Sequence, residues 1–276
     1  MSESAMIFWF ILSALSVVFI TVDIRNTPAH PVIKWAFIIL ALFTGPFAAL
    51  FYVIGCREPL KEIHETFVAV RWRQVLGSTM HCAAGDGIGI IVGAALAAQL
   101  RVPTWADFSF EYILGFGFGW AIFQALAMRE MAGGNYLRSL QQTFLPELLS
   151  MNLLMTGMVI TRRLLMPQIV GSANPLAVGF WFVMSMALIV GFILAYPINW
   201  WLVANGLKHG MITVRPGNQV AHHLKVTSDE APSHGQSRSG HSAAMVGPSI
   251  AAKATITIFT IASLVLGLAL ASWLNR

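Results

Sequence analysis

The sequence predicts an all-α, polytopic integral membrane bundle of about seven transmembrane helices. Of its 276 residues, 57% are hydrophobic and only 11% are charged, whereas a soluble domain has about 25% charged residues. The apolar residues fall in runs of about 20, the length that crosses a bilayer as a helix. These observations exclude a soluble domain and make the lipid bilayer the main partner of the chain.

Seven apolar runs are long enough to span a membrane, and together they account for a single domain, 1–276. The predicted spans are 6–23, 33–55, 74–100, 108–128, 144–165, 176–203 and 250–274. The first run has no basic n-region and no small-residue cleavage site, which predicts an uncleaved anchor. The loop over 212–249 is rich in Ser, Gly, Pro and His and has no apolar periodicity, which predicts a flexible cytoplasmic linker.

Lysine and arginine residues indicate the orientation of the spans, because cytoplasmic loops carry an excess of both. Eleven of the seventeen fall in the loops after spans two, four and six, and six fall on the opposite side. We therefore expect the N-terminus in the cytoplasm and the C-terminus outside, in a bacterial inner membrane. Since these cations lie in short loops beside spans, the basic balance does not indicate a nucleic-acid partner.

A stripe of small residues marks span three as a packing helix. Gly77, His81, Gly85, Gly89 and Gly93 recur every four residues and share one face. Small residues at this spacing allow neighbouring membrane helices to approach closely. Span three is therefore expected near the centre of the bundle.

A second, polar stripe on span three carries Cys82 and Asp86, with His81 where the two stripes meet. A buried cysteine alone is commonly a small apolar residue. A carboxylate at this depth costs about 2.5–3.5 kcal/mol on insertion scales, so Asp86 requires a partner, a proton or a function.

Span five offers a face that could meet this stripe. Glu147, Met151, Met155, Met158 and Arg162 return near the same helical angle, so three thioethers lie between an acid and a base. Spans three and five run parallel, and Met151 lies at a depth similar to that of His81. We therefore expect the two faces to be close together.

Three segments resemble the uncharacterised bacterial membrane proteins grouped as domain of unknown function 4396. They are "STMHCAAGDGIGI", "LPELLSMNLLMTGM" and "FWFVMSMALIVGFILAYPINWWLVANGLKHGM", within about residues 72–211. The resemblance implies an integral membrane fold and no established activity. Some members have a further cysteine after the His-Cys pair, where this chain has Ala83, Ala84 and Gly85, so a purely thiolate site is not expected here.

Soft-metal handling is the leading functional hypothesis. Thiolate and thioether donors prefer Cu(I) over harder ions, and His81, Cys82, Met151, Met155 and Met158 would supply such a set. Methionines at helical spacing are also common packing residues, so the stripe by itself leaves both interpretations open.

Other functional classes remain as alternatives. A proton-coupled transporter of a small solute would use Asp86, Glu111 and Glu147 and would not need Cys82. A membrane scaffold or accessory subunit, with a homo-oligomer or membrane partner, needs no further feature. Haem is disfavoured, because only His81 lies deep within a span. No nucleotide site and no enzyme are expected, since "GDGIGI" lacks a strand–turn–helix context and no nucleophilic triad converges.

Overall fold

The computed structural model describes residues 2–60, 63–129, 132–211, 213–214 and 247–274, without the side chains of 104 and 105. Helices dominate these residues, which confirms the predicted all-α fold. Most of the predicted linker over 212–249 lies outside the described residues. The helices are α1 Glu3–Asp23, α2 Pro31–Thr44, α3 Pro46–Gly55, α4 His64–Val68, α5 Arg71–Leu100, α6 Thr104–Gly117, α7 Ala125–Met128, α8 Tyr136–Leu165, α9 Val178–Ala204 and α10 Ile250–Trp273.

Six continuous helical segments in the described part of the chain are long and apolar enough to cross a membrane, as expected of a multi-pass membrane protein. They correspond to six of the seven predicted spans. Their bounds are Glu3–Asn26, Arg71–Leu100, Ala106–Met128, Tyr136–Gln168, Val178–Ala204 and Ile250–Trp273.

The second predicted span, 33–55, is not one helix. α2 and α3 have 14 and 10 residues, so they are roughly 21 and 15 Å long and shorter than the hydrocarbon core of about 30 Å. Between them Gly45 has φ 50° and ψ −120°, a conformation with positive φ that favours glycine. Pro46 follows, and its ring disfavours a helical conformation at the residue before it. The Gly-Pro pair therefore ends α2.

α2 and α3 form a hairpin whose two ends lie at the same end of the bundle. Gly45 packs against Ser13, within α1. Seven residues later, Tyr52 donates a hydrogen bond of 2.7 Å to Asp23, at the end of α1, and Arg57 pairs with the same carboxylate at 2.9 Å. Ser13 and Asp23 are ten residues apart on α1, or roughly 15 Å. α3 therefore runs back towards the end at which α2 begins.

We call this end of the bundle the Lys208 end, because Lys208 follows the last residue of α9 by four positions. There Arg73, in the first turn of α5, donates a hydrogen bond of 3.1 Å to the carbonyl of Ile54 in α3. Tyr196, in the last third of α9, donates a bond of 3.1 Å to the carbonyl of Trp72. α3 and α9 therefore end, and α5 begins, at the Lys208 end.

We call the opposite end, where α8 finishes, the Arg162 end. Met6, at the start of α1, clusters there with Ile169 and Phe182. Leu268, Ala271 and Ser272 of α10 line a groove together with Arg162. The start of α1 and the end of α10 thus lie at the same end of the bundle, whereas seven crossings would have placed them at opposite ends.

α5 occupies the centre of the bundle, packed against α2, α6 and α9. α1 and α10 lie at the periphery and expose large apolar side chains such as Phe8 and Ile258. Such surfaces are those expected to face lipid.

A π-helical turn over Phe118–Gln124 joins α6 to α7 and packs against α5. Single π-turns within longer helices occur frequently at functional sites. This one contributes Gly119 and Gln124 to the surroundings of the predicted site residues.

Candidate functional site

The predicted site residues of α5 lie in two separate environments. Consecutive residues on a helix point about 100° apart, so His81 and Cys82 face different neighbours. Cys82 contacts Glu147 of α8, whereas His81 contacts Gln124 of the π-turn. Both α5 side chains are buried. These contacts therefore do not bring His81 and Cys82 together as ligands of one metal site, as the sequence had predicted.

Cys82, Asp86, Glu147, Ser150 and Lys208 form what we call the buried charge cluster. Nζ of Lys208 lies 2.8 Å from Sγ of Cys82, 3.1 Å from Oε2 of Glu147 and 2.9 Å from Oγ of Ser150. Sγ of Cys82 lies 2.9 Å from Oε2 of Glu147 and 4.0 Å from Oδ2 of Asp86. The side chains of Lys208 and Glu147 are completely buried. An ammonium group thus lies among a thiol, a hydroxyl and a carboxylate within the protein.

Lys208 reaches the cluster because the chain turns back after α9. Gly206 has φ 66°, and the amide of Leu207 bonds to the carbonyl of Leu202 at 2.9 Å. This is the glycine-dependent Schellman ending of a helix. It reverses the chain within two residues and brings Lys208 back into the bundle.

The segment that follows Lys208 is fixed by contacts with three other parts of the chain. Met211 packs against Gly77 of α5. Thr213 pairs with Ala29 in an isolated β-bridge, and its hydroxyl lies 2.7 Å from Nδ1 of His64. These contacts hold the segment against the Lys208 end.

Two carboxylate oxygens of the cluster face the π-turn. Oδ1 of Asp86 and Oε1 of Glu147 are buried and have no hydrogen-bond partner among the described residues. Both lie against Gly119, where an added Cβ would come within 2.6 Å of the Glu147 oxygen and closer still to the Asp86 oxygen. A larger residue at this position of the π-turn would therefore displace the two carboxylates.

His81 uses both ring nitrogens outside the cluster. Nδ1 lies 3.0 Å from the carbonyl of Gly77 and donates to it. Nε2 of His81 lies against the side-chain oxygen of Gln124, and the amide nitrogen of Gln124 has no partner among the described residues. When the amide is rotated by 180°, its N–H donates to Nε2 of His81, so that both nitrogens have a partner. A neutral His81 then has no lone pair left for a metal.

The ring of His81 also stacks on His209, with centroids 4.9 Å apart and planes 12° apart. His209 follows Lys208 and donates from Nδ1 to the carbonyl of Gly210 at 2.9 Å. Burial, and after it the adjacent His81, lower the pKa of His209 to about 3. His209 is therefore neutral at physiological pH.

The pKa of Lys208 is raised, unlike that of His209. Burial alone lowers it, but the close contacts of the ammonium with Cys82 and Glu147 outweigh burial and leave the pKa above its usual value. Lys208 therefore carries its proton in this arrangement.

The predicted methionine stripe lies within the main hydrophobic cluster. Met151, Met155 and Met158 are completely buried there. The methyl group of Met151 packs against Gly115 of α6, and Met158 packs against Gly191 of α9. These contacts place the stripe where α8 meets its neighbours, and they show packing for at least two of its three side chains.

The glycine stripe of α5 faces three different parts of the chain. Gly85 packs against Gly119 of the π-turn, while Gly89 and Gly93 pack against the backbone of α6. Gly77 faces Met211, in the segment after α9. The close approach of α5 to α6 occurs along the last part of the stripe.

Glu111 belongs to a second charged group, at the Arg162 end. Arg162 forms an ion pair with Glu111 and a longer one of 3.4 Å with Asp107. Glu147 and Arg162 are fifteen residues apart on α8, so the two charged groups are separated by roughly 22 Å along that helix. Glu111 is therefore not in direct contact with Asp86 or Glu147, although the three residues were predicted to form one proton relay.

Sequence reasoning missed Lys208, which was counted only as a loop cation. A signal was present, because Asn205 and Gly206 directly after an apolar run form a helix-stopping pair. That pair predicts a reversal of the chain at Lys208. It does not predict which residues the ammonium meets, since these come from α5 and α8.

Three donor atoms in the cluster could hold a metal ion. Sγ of Cys82 and one carboxylate oxygen each of Asp86 and Glu147 lie within 4.8 Å of one another. One sulfur and two oxygens form a harder donor set than the predicted imidazole, thiolate and thioethers. The ammonium of Lys208 also contacts two of the three residues, so a bound cation would compete with it.

Comparison with known proteins gives one match. A family model described as "Domain of unknown function (DUF4396)" matches residues 71–208, half of the 276-residue chain. No curated protein and no solved structure matches the chain. The matched residues run from the start of α5 to Lys208, so all five members of the buried charge cluster lie within the match.

Proposed function

The chain belongs to the DUF4396 family, whose function is unknown, and from its buried charge cluster we propose that it is a proton-coupled membrane transporter of a small cation. The observation that carries the proposal is the ammonium of Lys208 held between Cys82 and Glu147, beside Asp86. Ionisable groups inside membrane proteins are rare and commonly belong to ion pathways or proton relays.

Charge balance supports exchange at this cluster. Asp86 and Glu147 together carry two negative charges when both are ionised, and Lys208 compensates one. The second charge requires a proton or another cation, because an uncompensated buried carboxylate is costly. A proton leaving as a cation enters would keep the charge of the cluster constant.

Lys208 acts in this proposal as an internal competitor of the transported cation. Its ammonium already contacts the thiol and the carboxylate that a cation would also contact. Because Lys208 follows the helix end of α9, movement of this segment would shift the ammonium within the cluster without breaking a transmembrane helix. The entering cation then replaces a proton, and the charge of the cluster stays constant. The π-turn beside Asp86 supports the proposal, since such turns occur frequently at functional sites.

The hydroxyl groups of Tyr112 and Thr260 lie between the buried charge cluster and the Arg162 end and offer an intermediate step for a proton, and Asn152 holds both in place by hydrogen bonds. Tyr112 donates to Oδ1 of Asn152 at 2.7 Å, and Asn152 donates to the hydroxyl of Thr260 at 3.3 Å. Asn152 is five residues from Glu147 and ten from Arg162 on α8. In this proposal Glu111 and Arg162 control access from their own end.

The test uses the full chain in proteoliposomes with a trapped pH-sensitive dye and an inward gradient of Na⁺ or K⁺. We expect the interior to become alkaline as the cation enters and protons leave. Asp86→Asn and Glu147→Gln should abolish the signal, and Glu3→Gln, an exposed acid at the start of α1, should leave it unchanged. A wild type that gives no signal with either ion, or an active Asp86→Asn variant, contradicts the proposal.

Binding of Cu(I) or another soft metal is the second candidate, and it is favoured by the sulfur of Cys82 in the group of three donor atoms, whereas the two carboxylate oxygens suit harder ions. Its test is anaerobic loading of the purified protein with Cu(I) against a competing chelator. Wild type should retain copper that Cys82→Ser does not, and Met155→Leu should weaken retention if a thioether is a ligand. Equal copper in wild type and Cys82→Ser excludes the site.

We propose that the Lys208 end faces the cytoplasm of a bacterial inner membrane. Because α2 and α3 form a hairpin, Arg25 and Lys34 join the eleven cations already assigned to that side, which makes thirteen of the seventeen against four. The positive-inside rule then favours both termini outside. This proposal replaces the expected cytoplasmic N-terminus.

A further inference from the structure

A groove at the Arg162 end combines charged and apolar walls. It has a volume of about 930 Å³ and lies between α6, α8 and α10. Its polar lining includes Asp107, Glu111, Arg162 and Arg163, and its apolar lining includes Phe108, Val159 and Leu268. Binding sites for small molecules commonly have this size and this mixture of groups.

The charged groups of the groove leave one cation available. Arg162 pairs with both Asp107 and Glu111. Arg163 also lines the groove, and no hydrogen bond or ion pair of its side chain is found among the described residues. Arg163 therefore offers guanidinium donors to a ligand in the groove, and such donors bind phosphate well.

The surroundings of the groove indicate an occupant from the bilayer. α6 and α10 both pack against α8, and large apolar side chains near the groove are exposed, among them Ile113 of α6 and Leu270 of α10. In a membrane such surfaces face acyl chains. Arg163 is two residues from the end of α8, the level at which headgroups meet a spanning helix.

From these observations we propose that the groove binds a membrane phospholipid, with its phosphate on Arg163 and one acyl chain along Val159 and Leu268. The site is separate from the buried charge cluster, although Glu111 and Arg162, to which the proposed function gives control of access, also line the groove. Its test measures bound lipid and not transport, so the two proposals can fail independently. Binding requires both the phosphate and the acyl chain of the lipid, because Arg163 recognises the phosphate and the apolar wall recognises the acyl chain.

The test measures lipid retention by native mass spectrometry of the full chain in detergent. The probes are dioleoylphosphatidylglycerol, dioleoylglycerol, which lacks the phosphate, and inorganic phosphate. We expect retention of the phospholipid only. Equal retention of dioleoylglycerol contradicts the phosphate contact, and equal binding of inorganic phosphate would show a free-anion site and contradict the lipid.

Two variants locate the site. Arg163→Gln should weaken retention of the phospholipid about tenfold, the scale of one lost charge-assisted hydrogen bond, without loss of folding, because its side chain has no partner among the described residues. Leu268→Trp should fill the chain-binding wall and reduce retention similarly. Arg138→Gln, an exposed arginine at the opposite end, is the matched control. Unchanged retention in both groove variants would place the lipid elsewhere and overturn the proposal.

Discussion

The ammonium of Lys208 lies 2.8 Å from the sulfur of Cys82, although 126 residues separate the two in the chain. The same ammonium contacts Glu147 at 3.1 Å. A single side chain from the segment after α9 thus joins α5 to α8 inside the bundle. Removing one member of such a buried group leaves the others without compensation.

Lys208→Met should destabilise the protein by about 3–5 kcal/mol, because it leaves Glu147 as a buried carboxylate without its cation. The double variant Lys208→Met with Glu147→Gln should recover much of this loss, since neither charge then remains. Thermal unfolding in detergent measures both effects. Additive losses in the double variant would show that the two side chains do not interact.

Gly119→Ala should destabilise the protein by about 1–3 kcal/mol, the usual scale of overpacking, because its Cβ meets the carboxylates of Asp86 and Glu147. Gly117→Ala is the matched control, since a Cβ there meets no atom within 4 Å. Alanine is also the better helix former by about 1 kcal/mol, so the control should be neutral or slightly stabilising. Similar unfolding temperatures for the two variants would contradict the contact at Gly119.

The hairpin of α2 and α3 predicts that both ends of the chain lie on one side of the membrane. Cysteines introduced at Ser4 and Ser272, both exposed, should react with an impermeant maleimide added to intact cells. Arg138→Cys should react only after permeabilisation. The native Cys56 and Cys82 are buried, so the background should be low. Opposite results for Ser4 and Ser272 would show that α2 and α3 together cross the membrane.

His209 predicts a loss of stability in acid. Its folded pKa of about 3 is below the unfolded value of 6.5, so the unfolded state binds the proton first as the pH falls. Stability is fully present above pH 6.5 and decreases towards pH 3, by up to about 1.4 kcal/mol per pH unit. His209→Gln should lose less stability than wild type between pH 6.5 and 5, as measured by thermal unfolding. Parallel curves would exclude this contribution.

Hydropathy and helical periodicity alone predicted the all-α membrane bundle and the approximate positions of six spans. These properties depend on runs of neighbouring residues, because a helix satisfies its backbone hydrogen bonds within one segment. The same approach joined α2 and α3 into one span, since average hydropathy is insensitive to a single Gly45–Pro46 pair. The local conformation of that pair decided the hairpin.

The composition of the site depended on tertiary structure. The sequence could identify Asp86 and Glu147 as costly residues inside the membrane, and it placed Cys82 near Asp86 by helical spacing. It could not place Lys208 beside them, because that contact requires the chain reversal after α9 and the packing of α5 against α8 and α9. Nor could it separate His81 from Cys82, because the partners of each residue come from helices distant in the chain.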